Sequence, residues 1–213
     1  MSFQDRHFRI GFTRREEDMR DSAVIPLVIV LVNVGERVLD SLLRKDSVAK
    51  SLKTAEHDKG TSRFIQVVGV IFVVVLLLTA LLNQFQIGIV EPHLVFTAIG
   101  VVLMATGVVL RVVAMQTLGK FFTRTLQIRE GHHVVSDGIY RRVRHPGYLG
   151  DIVLFVGSGI ATSNVITTVL ILGMMLTAYV RRIAVEERML TDQLGKEYSD
   201  YKARTWKLIP FVF

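Results

Sequence analysis

Two clusters of polar residues stand where chemistry could be done. The first is Gly138-Ile139-Tyr140-Arg141-Arg142-Val143-Arg144-His145-Pro146-Gly147-Tyr148, directly ahead of an apolar run. The second is Arg181-Arg182-Ile183-Ala184-Val185-Glu186-Glu187, where the last apolar run ends. Polar and ionisable groups beside hydrocarbon are expensive, so their recurrence at two such places calls for a specific job. The expectation is that both clusters close one site at the membrane surface.

Arg182 and Glu186 are four apart and share a face if the segment is helical. A guanidinium there can hold a carboxylate or phosphate bidentately, and a carboxylate can bind an ammonium. A mutual surface ion pair among positive-inside arginines explains the same residues. In the first cluster, Pro146 suits the first turn of a following helix. The N–H groups of that helix start can receive an anionic or polar group. Tyr140 and Tyr148 can stack on a ring or face a cation. A helix start with a basic interfacial flank is the plainer alternative. His132-His133 reads as two neutral residues lining a cleft or solvated; adjacent histidines point apart, and no metal site is assigned. No Gly-x-Gly-x-x-Gly element or phosphate loop occurs, and no Ser/His/Asp spacing supports nucleophilic catalysis.

The elements that must position these groups are membrane helices. Half of the 213 residues are hydrophobic, and they lie in long blocks with charge confined between them. There is no cysteine, which excludes disulfides and thiolate chemistry. The formal charge of +7 fits cytoplasmic membrane flanks rather than nucleic acid, since no aromatic or Gly-rich pattern interleaves with the basic residues.

Residues 1–21 read as a polar N-terminal tail without a signal-peptide core. The division is a tail over 1–21, three membrane helices over 22–117, and a catalytic region over 118–213. The apolar runs are 23–43 (amphipathic in its second half), Phe64–Leu82, and His93–Leu118, with Arg111 snorkelling towards the edge. Two short runs follow, 147–160 and 165–180, separated by Ala161-Thr162-Ser163-Asn164 and read as a helical hairpin. Residues 183–213 read as an amphipathic helix broken before Ile209-Pro210. Gly100, Gly107 and Gly119 read as helix-packing positions. The fold class is therefore all-α: a polytopic bundle of about five transmembrane helices, the last two forming a short hairpin, with a cytosolic pocket.

Segments 44–63, 119–146 and 181–213 hold six, six and seven Lys and Arg, whereas 83–93 and 161–164 hold none. That alternation puts both polar clusters on the cytoplasmic side. An odd number of spans leaves the N-terminus outside; a first helix that does not span leaves it inside.

Leu118-Gly119-Lys120-Phe121-Phe122, Gly131-His132-His133-Val134-Val135, Gly138-Ile139-Tyr140, Arg144-His145-Pro146-Gly147-Tyr148 and Glu186-Glu187 occur in that order. Together they resemble the isoprenylcysteine carboxyl methyltransferase family. The tail Leu194-Gly195-Lys196-Glu197-Tyr198, Tyr201, Arg204-Thr205 and Leu208-Ile209-Pro210 looks like its bacterial branch. The resemblance covers about 118–213. It implies an integral membrane enzyme transferring a methyl group from S-adenosyl-L-methionine. Carried over residue by residue, it implies cofactor contacts at Gln127, His132, His133, Val134, Val135, Tyr140, His145, Pro146, Gly147, Tyr148 and Glu186. Arg182 matches the family arginine that contacts the substrate carboxylate and is the catalytic candidate. Glu187 joins Arg182 as a substrate-binding candidate.

These roles agree with the residues' own chemistry. Glu186 can bind an α-ammonium, Val134-Val135 can flank adenine, and a tyrosine can face a sulfonium. A carboxylate acceptor is already ionised and needs no general base. An amine acceptor would need one, with Glu187 or a histidine as candidate. The main expectation is carboxyl O-methylation of a lipophilic acceptor, an isoprenoid or lipid, entering from the bilayer. No nucleic acid and no obligate protein partner are expected, and the location is a bacterial inner membrane with the site facing the cytoplasm. Phospholipid N-methylation is the first alternative, because those enzymes resemble the same Arg-His-Pro and Glu-Glu pattern. A sterol-type reductase using NADPH, with a similar Arg-His-Pro-x-Tyr start, is the second. A membrane scaffold with two basic flanks is the third, and it leaves the ordered motifs unexplained.

Overall fold

The computed structural model describes residues 25–35, 60–122 and 133–211. Among these the chain is helical, with α1 over Ile25–Gly35, α2 over Thr61–Gln84 and α3 over His93–Leu118. Then come α4 over Pro146–Ala161, α5 over Val165–Leu194 and α6 over Lys196–Ala203. Single turns of 3-10 helix occupy Gly119–Phe121 and Gly138–Arg141. Helices α2, α3 and α5 are long and apolar enough to cross a membrane, whereas α1 and α4 are shorter. Only 22% to 33% of their most apolar windows is buried within the protein. The remaining apolar faces are thus suited to lipid.

Helix α4 packs antiparallel on α3 through glycines on both partners. A Cβ on Gly100 would lie 2.4 Å from the Ala161 nitrogen, and one on Gly107 would lie 2.5 Å from that of Leu154. Gly150 and Gly157 answer from α4, where a Cβ on either would lie 2.8 Å from α3 backbone. Small residues let the two backbones touch, which is how helices associate where no hydrophobic drive separates protein from lipid. Gly119 is different: nothing crowds it, and its φ of +52° ends α3. It is a helix stop rather than a packing position.

The core lies between α2, α4 and α5, around Phe72, Leu76, Leu154, Phe155, Ile171 and Met175. Phe72 and Phe155 meet edge to face, with centroids 4.7 Å apart. Asn33, the lone polar side chain in the first apolar block, donates to Ser158 Oγ of α4 at 3.1 Å. The expected continuation of that block to residue 43 lies outside the described residues.

At the end without Lys or Arg, Asn164 caps α5 by accepting from the Thr167 N–H. Its amide also donates to Asn83 Oδ1 and to the Ile87 carbonyl, both at 2.8 Å. The α4–α5 turn is thereby tied to the α2–α3 connection, and the hairpin is anchored away from the polar clusters.

The structure corrects the expected end of α5. The apolar run 165–180 does not stop at the second cluster but continues as one helix to Leu194. Residues 181–194 are mostly good helix formers, without glycine or proline. The helix therefore passes from hydrocarbon to water without a break, and Gly195, at φ +55°, ends it. The expected amphipathic helix over 183–213 is instead the end of α5, then α6, then the turns of 204–211.

Candidate functional site

Pro146 opens α4 in its first turn, so the cluster before it lies at the end of the helix opposite the Asn164 turn. There the chain over 142–145 is bound to the C-terminal segment. Arg144 N donates to the Trp206 carbonyl at 2.8 Å, His145 N to that of Lys207 at 3.2 Å, and Trp206 N to that of Arg142 at 2.8 Å. The Arg144 guanidinium completes the latch, donating to the carbonyls of Lys202 and Thr205 and to Glu187 Oε1. Glu187 also meets His145 Nε2 at 3.3 Å and the Lys202 ammonium at 3.9 Å. The first cluster, the end of α5 and the C-terminal tail therefore form one body.

A pocket opens in this body. One wall comes from Leu118 and the turn that follows α3 (Phe121, Phe122), another from His133, Val134 and Val135. Tyr140, His145, Gly147 and Tyr148 form its base, α5 lends Glu186, Met189, Leu190 and Leu194, and α6 lends Tyr198 and Tyr201. The Val134 N–H donates to Glu197 Oε1 at 2.9 Å, pinning the loop to α6. Phe121 and His133 meet edge to face at 4.9 Å.

Tyr148 is the hub. Its hydroxyl donates to Glu186 Oε2 at 2.6 Å and accepts from Arg182 Nε at 3.3 Å. Arg182 and Glu186, one helical turn apart, thus meet through a hydroxyl. The Tyr148 ring stacks on His145 at 5.6 Å and leans on Tyr179 at 5.2 Å. Tyr179 in turn donates to Asp151 Oδ2 at 2.8 Å, the oxygen that Arg111 also binds. Arg111 therefore does not snorkel. It is buried and paired with Asp151, because a charge in an apolar layer is tolerated when its opposite stands beside it.

Burial raises the phenol of Tyr140 above its ordinary range, with the nearby Glu186 charge adding to the effect. The same cause, with Glu187 and Glu186 contributing, raises that of Tyr198. Burial pushes Tyr201 up to about 12, and its hydroxyl donates to the Tyr140 carbonyl at 2.7 Å. These phenols stay protonated near neutral pH, and so they serve as neutral walls and donors, not as bases.

Of the residues named from sequence, His133, Val134, Val135, Tyr140, His145, Gly147, Tyr148 and Glu186 line this one pocket. Pro146 is buried at the start of α4 and Arg182 stands one hydrogen bond behind Tyr148. Glu187 is held in the Arg144 latch. Gln127 and His132 lie outside the described residues. Sequence reasoning missed Met189, Leu190 and Leu194, although they follow Glu186 at the three- and four-residue steps of one helix face. It also missed the closure by Tyr198 and Tyr201.

Residues 98–192 match the model of the isoprenylcysteine carboxyl methyltransferase family. The chain is 32% identical over 116 residues to a probable protein-S-isoprenylcysteine O-methyltransferase of Oryza sativa subsp. indica, covering 54% of this chain and 61% of that one. It is 36% identical over 116 residues to the protein-S-isoprenylcysteine O-methyltransferase of Dictyostelium discoideum, covering 54% and 49%. The chain spans about half the length of several curated relatives it matches, 46% for that of Schizosaccharomyces pombe. In fold it is similar to a solved eukaryotic intramembrane Ras methyltransferase, at a TM-score of 0.60 and 24% identity, covering 87% of this chain and 64% of that one.

Proposed function

We propose that the chain, whose residues 98–192 match the model of the isoprenylcysteine carboxyl methyltransferase family, is a multi-pass membrane methyltransferase of that kind acting on the carboxylate of a lipophilic acceptor. The observation that carries the reading is the junction at Tyr148, where one hydroxyl joins the pocket carboxylate Glu186 to the buried guanidinium Arg182. A binding group for a cation and a binding group for an anion meet at one hydroxyl.

The pocket's donor set fits S-adenosyl-L-methionine. Glu186 suits its ammonium, Val134 and Val135 with the apolar end of α3 suit its adenine, and the faces of Tyr148 and His145 suit a positive sulfur. The cofactor would supply an electrophilic methyl group. The chain supplies the rest: Arg182 holds and orients the acceptor carboxylate, and Tyr148 separates the acceptor from Glu186. The apolar surround excludes water, so positioning and desolvation do the work. A carboxylate needs no base. An amine would, and Glu187 is committed to Arg144, His145 and Lys202, which argues against N-methylation. The relatives' names point to a prenylated cysteine, and a prenylated protein or small isoprenoid acid fits this reading. The Lys and Arg distribution supports a site facing the cytoplasm, and the bacterial-type tail supports a bacterial inner membrane.

The test is transfer of labelled methyl from S-adenosyl-L-methionine to N-acetyl-S-farnesyl-cysteine by purified protein. Base-labile label, released as methanol, is expected for an ester. Base-stable label on added phospholipid with none on the thioether acid would replace this reading with N-methylation.

A further inference from the structure

The start of α2 holds two side chains whose use is unusual for their position. Serine and threonine at a helix start ordinarily cap backbone N–H groups. Here Gly60 is the N-cap and no side chain caps the helix. The Thr61 and Ser62 hydroxyls instead accept from Arg182 Nη1, at 2.7 Å and 3.0 Å. These contacts span about 120 residues of sequence and join α2 to α5. Arg181 reinforces the joint by lying over the Phe64 ring, 5.2 Å from its centroid.

A guanidinium at a helix N-terminus sits at the positive end of the macrodipole, and Arg182 is only 2% exposed. Hydroxyl acceptors fix the direction of a guanidinium N–H, because its fork of donors is planar and rigid. Arg182 is then fixed on two sides, by Tyr148 at Nε and by Thr61 and Ser62 at Nη1.

We infer that Thr61 and Ser62 are positioning residues for methyl transfer: they aim Arg182 at the acceptor carboxylate, and the start of α2 takes part in selecting the acceptor. The inference rests on the reading of Arg182 given above. It assigns a role to residues that lie outside the matched family region, 98–192, so acceptor choice depends on a helix that the shared region does not contain.

Variants at Thr61 separate aiming from packing. Thr61→Val keeps the shape and loses the hydroxyl; Thr61→Ser keeps the hydroxyl and loses the methyl. With N-acetyl-S-farnesyl-cysteine as acceptor, Thr61→Val combined with Ser62→Ala should lower kcat/KM about 10- to 100-fold, the scale of a misplaced orienting group. S-adenosylhomocysteine should bind that double variant as it binds the wild type, which shows that the protein is folded. Thr61→Ser should restore turnover. The inference is overturned if the double variant turns over normally, or if Thr61→Ser is as damaging as Thr61→Val. Arg182→Ala distinguishes the levels. If it is inactive while the double variant is normal, only the aiming role fails. If it is fully active, or if the wild type does not methylate this acid, the carboxylate reading fails and the inference with it.

Discussion

Glu186→Gln offers a sharp probe of the pocket because it changes charge and almost nothing else. Glutamine keeps the length of the side chain and an oxygen that can accept from the Tyr148 hydroxyl, 2.6 Å away in the native protein. The wall should therefore keep its shape. What disappears is the negative charge facing the pocket, and with it a charge-assisted pairing to a ligand ammonium. A hydrogen bond to a charged group contributes about 1.5–3 kcal/mol against about 0.5–1.5 for a neutral one. Glu186 is half-buried, so the difference should fall near about 1–2 kcal/mol, or roughly 5- to 30-fold in Kd. The assay is calorimetric titration in detergent with S-adenosylhomocysteine, beside 5′-methylthioadenosine, which carries the nucleoside but no amino-acid end. Weakening is expected for the first ligand and none for the second. Equal affinity of both proteins for S-adenosylhomocysteine, or equal losses for the two ligands, would refute the pairing.

Arg182→Ala should retain cofactor affinity and lose methyl transfer; loss of S-adenosylhomocysteine binding instead would move Arg182 into the cofactor site. Arg144→Lys should release the latch on Lys202, Thr205 and Glu187, because an ammonium cannot reproduce the guanidinium fork. Faster proteolysis within 204–211 and weaker cofactor binding are the expected readouts. Gly100→Ala should cost about 1–3 kcal/mol by overpacking, since its Cβ would meet Ala161 backbone at 2.4 Å. Gly69→Ala, with nothing within 4 Å, should be neutral or mildly stabilising; thermal unfolding that ranks them the other way contradicts the α3–α4 contact. Burial raises the Tyr201 phenol from 10.0 to about 12. Its contribution is thus intact below the unfolded value and lost as pH rises through that window. Thermal unfolding followed from pH 8 to 12 should fall more steeply in the wild type than in Tyr201→Phe; parallel curves would contradict the burial.

The membrane helices were legible because lipid imposes a coarse rule. His93–Leu118 emerges with the bounds read from sequence, and Phe64–Leu82 extends by only a turn or less to Thr61–Gln84. Pro146 and the turn at 162–164 punctuate the hairpin as their chemistry requires. The run of α5 past Glu187 was not legible, because a charge cluster looks like a helix end when hydropathy alone is read. Nothing local separates a helix leaving the membrane from one that stops there. Arg111 was misread for a related reason: its partner Asp151 is 40 residues away, and only the glycine-mediated approach of α3 and α4 brings them together. Motif order drew the pocket's polar residues together. Tyr198, Tyr201, Thr61 and Ser62 reach the site from elements whose docking depends on the Arg144 latch and on Arg182, and no short-range pattern announces such contacts.

The most direct measurement is calorimetric titration of the purified wild-type protein with S-adenosylhomocysteine and, separately, with NADPH. Binding of the former in the micromolar range, about −7 to −9 kcal/mol, with no heat from the latter, is the expected result. Saturable binding of NADPH with none of S-adenosylhomocysteine would contradict a methyl-donor pocket built on Glu186 and Tyr148.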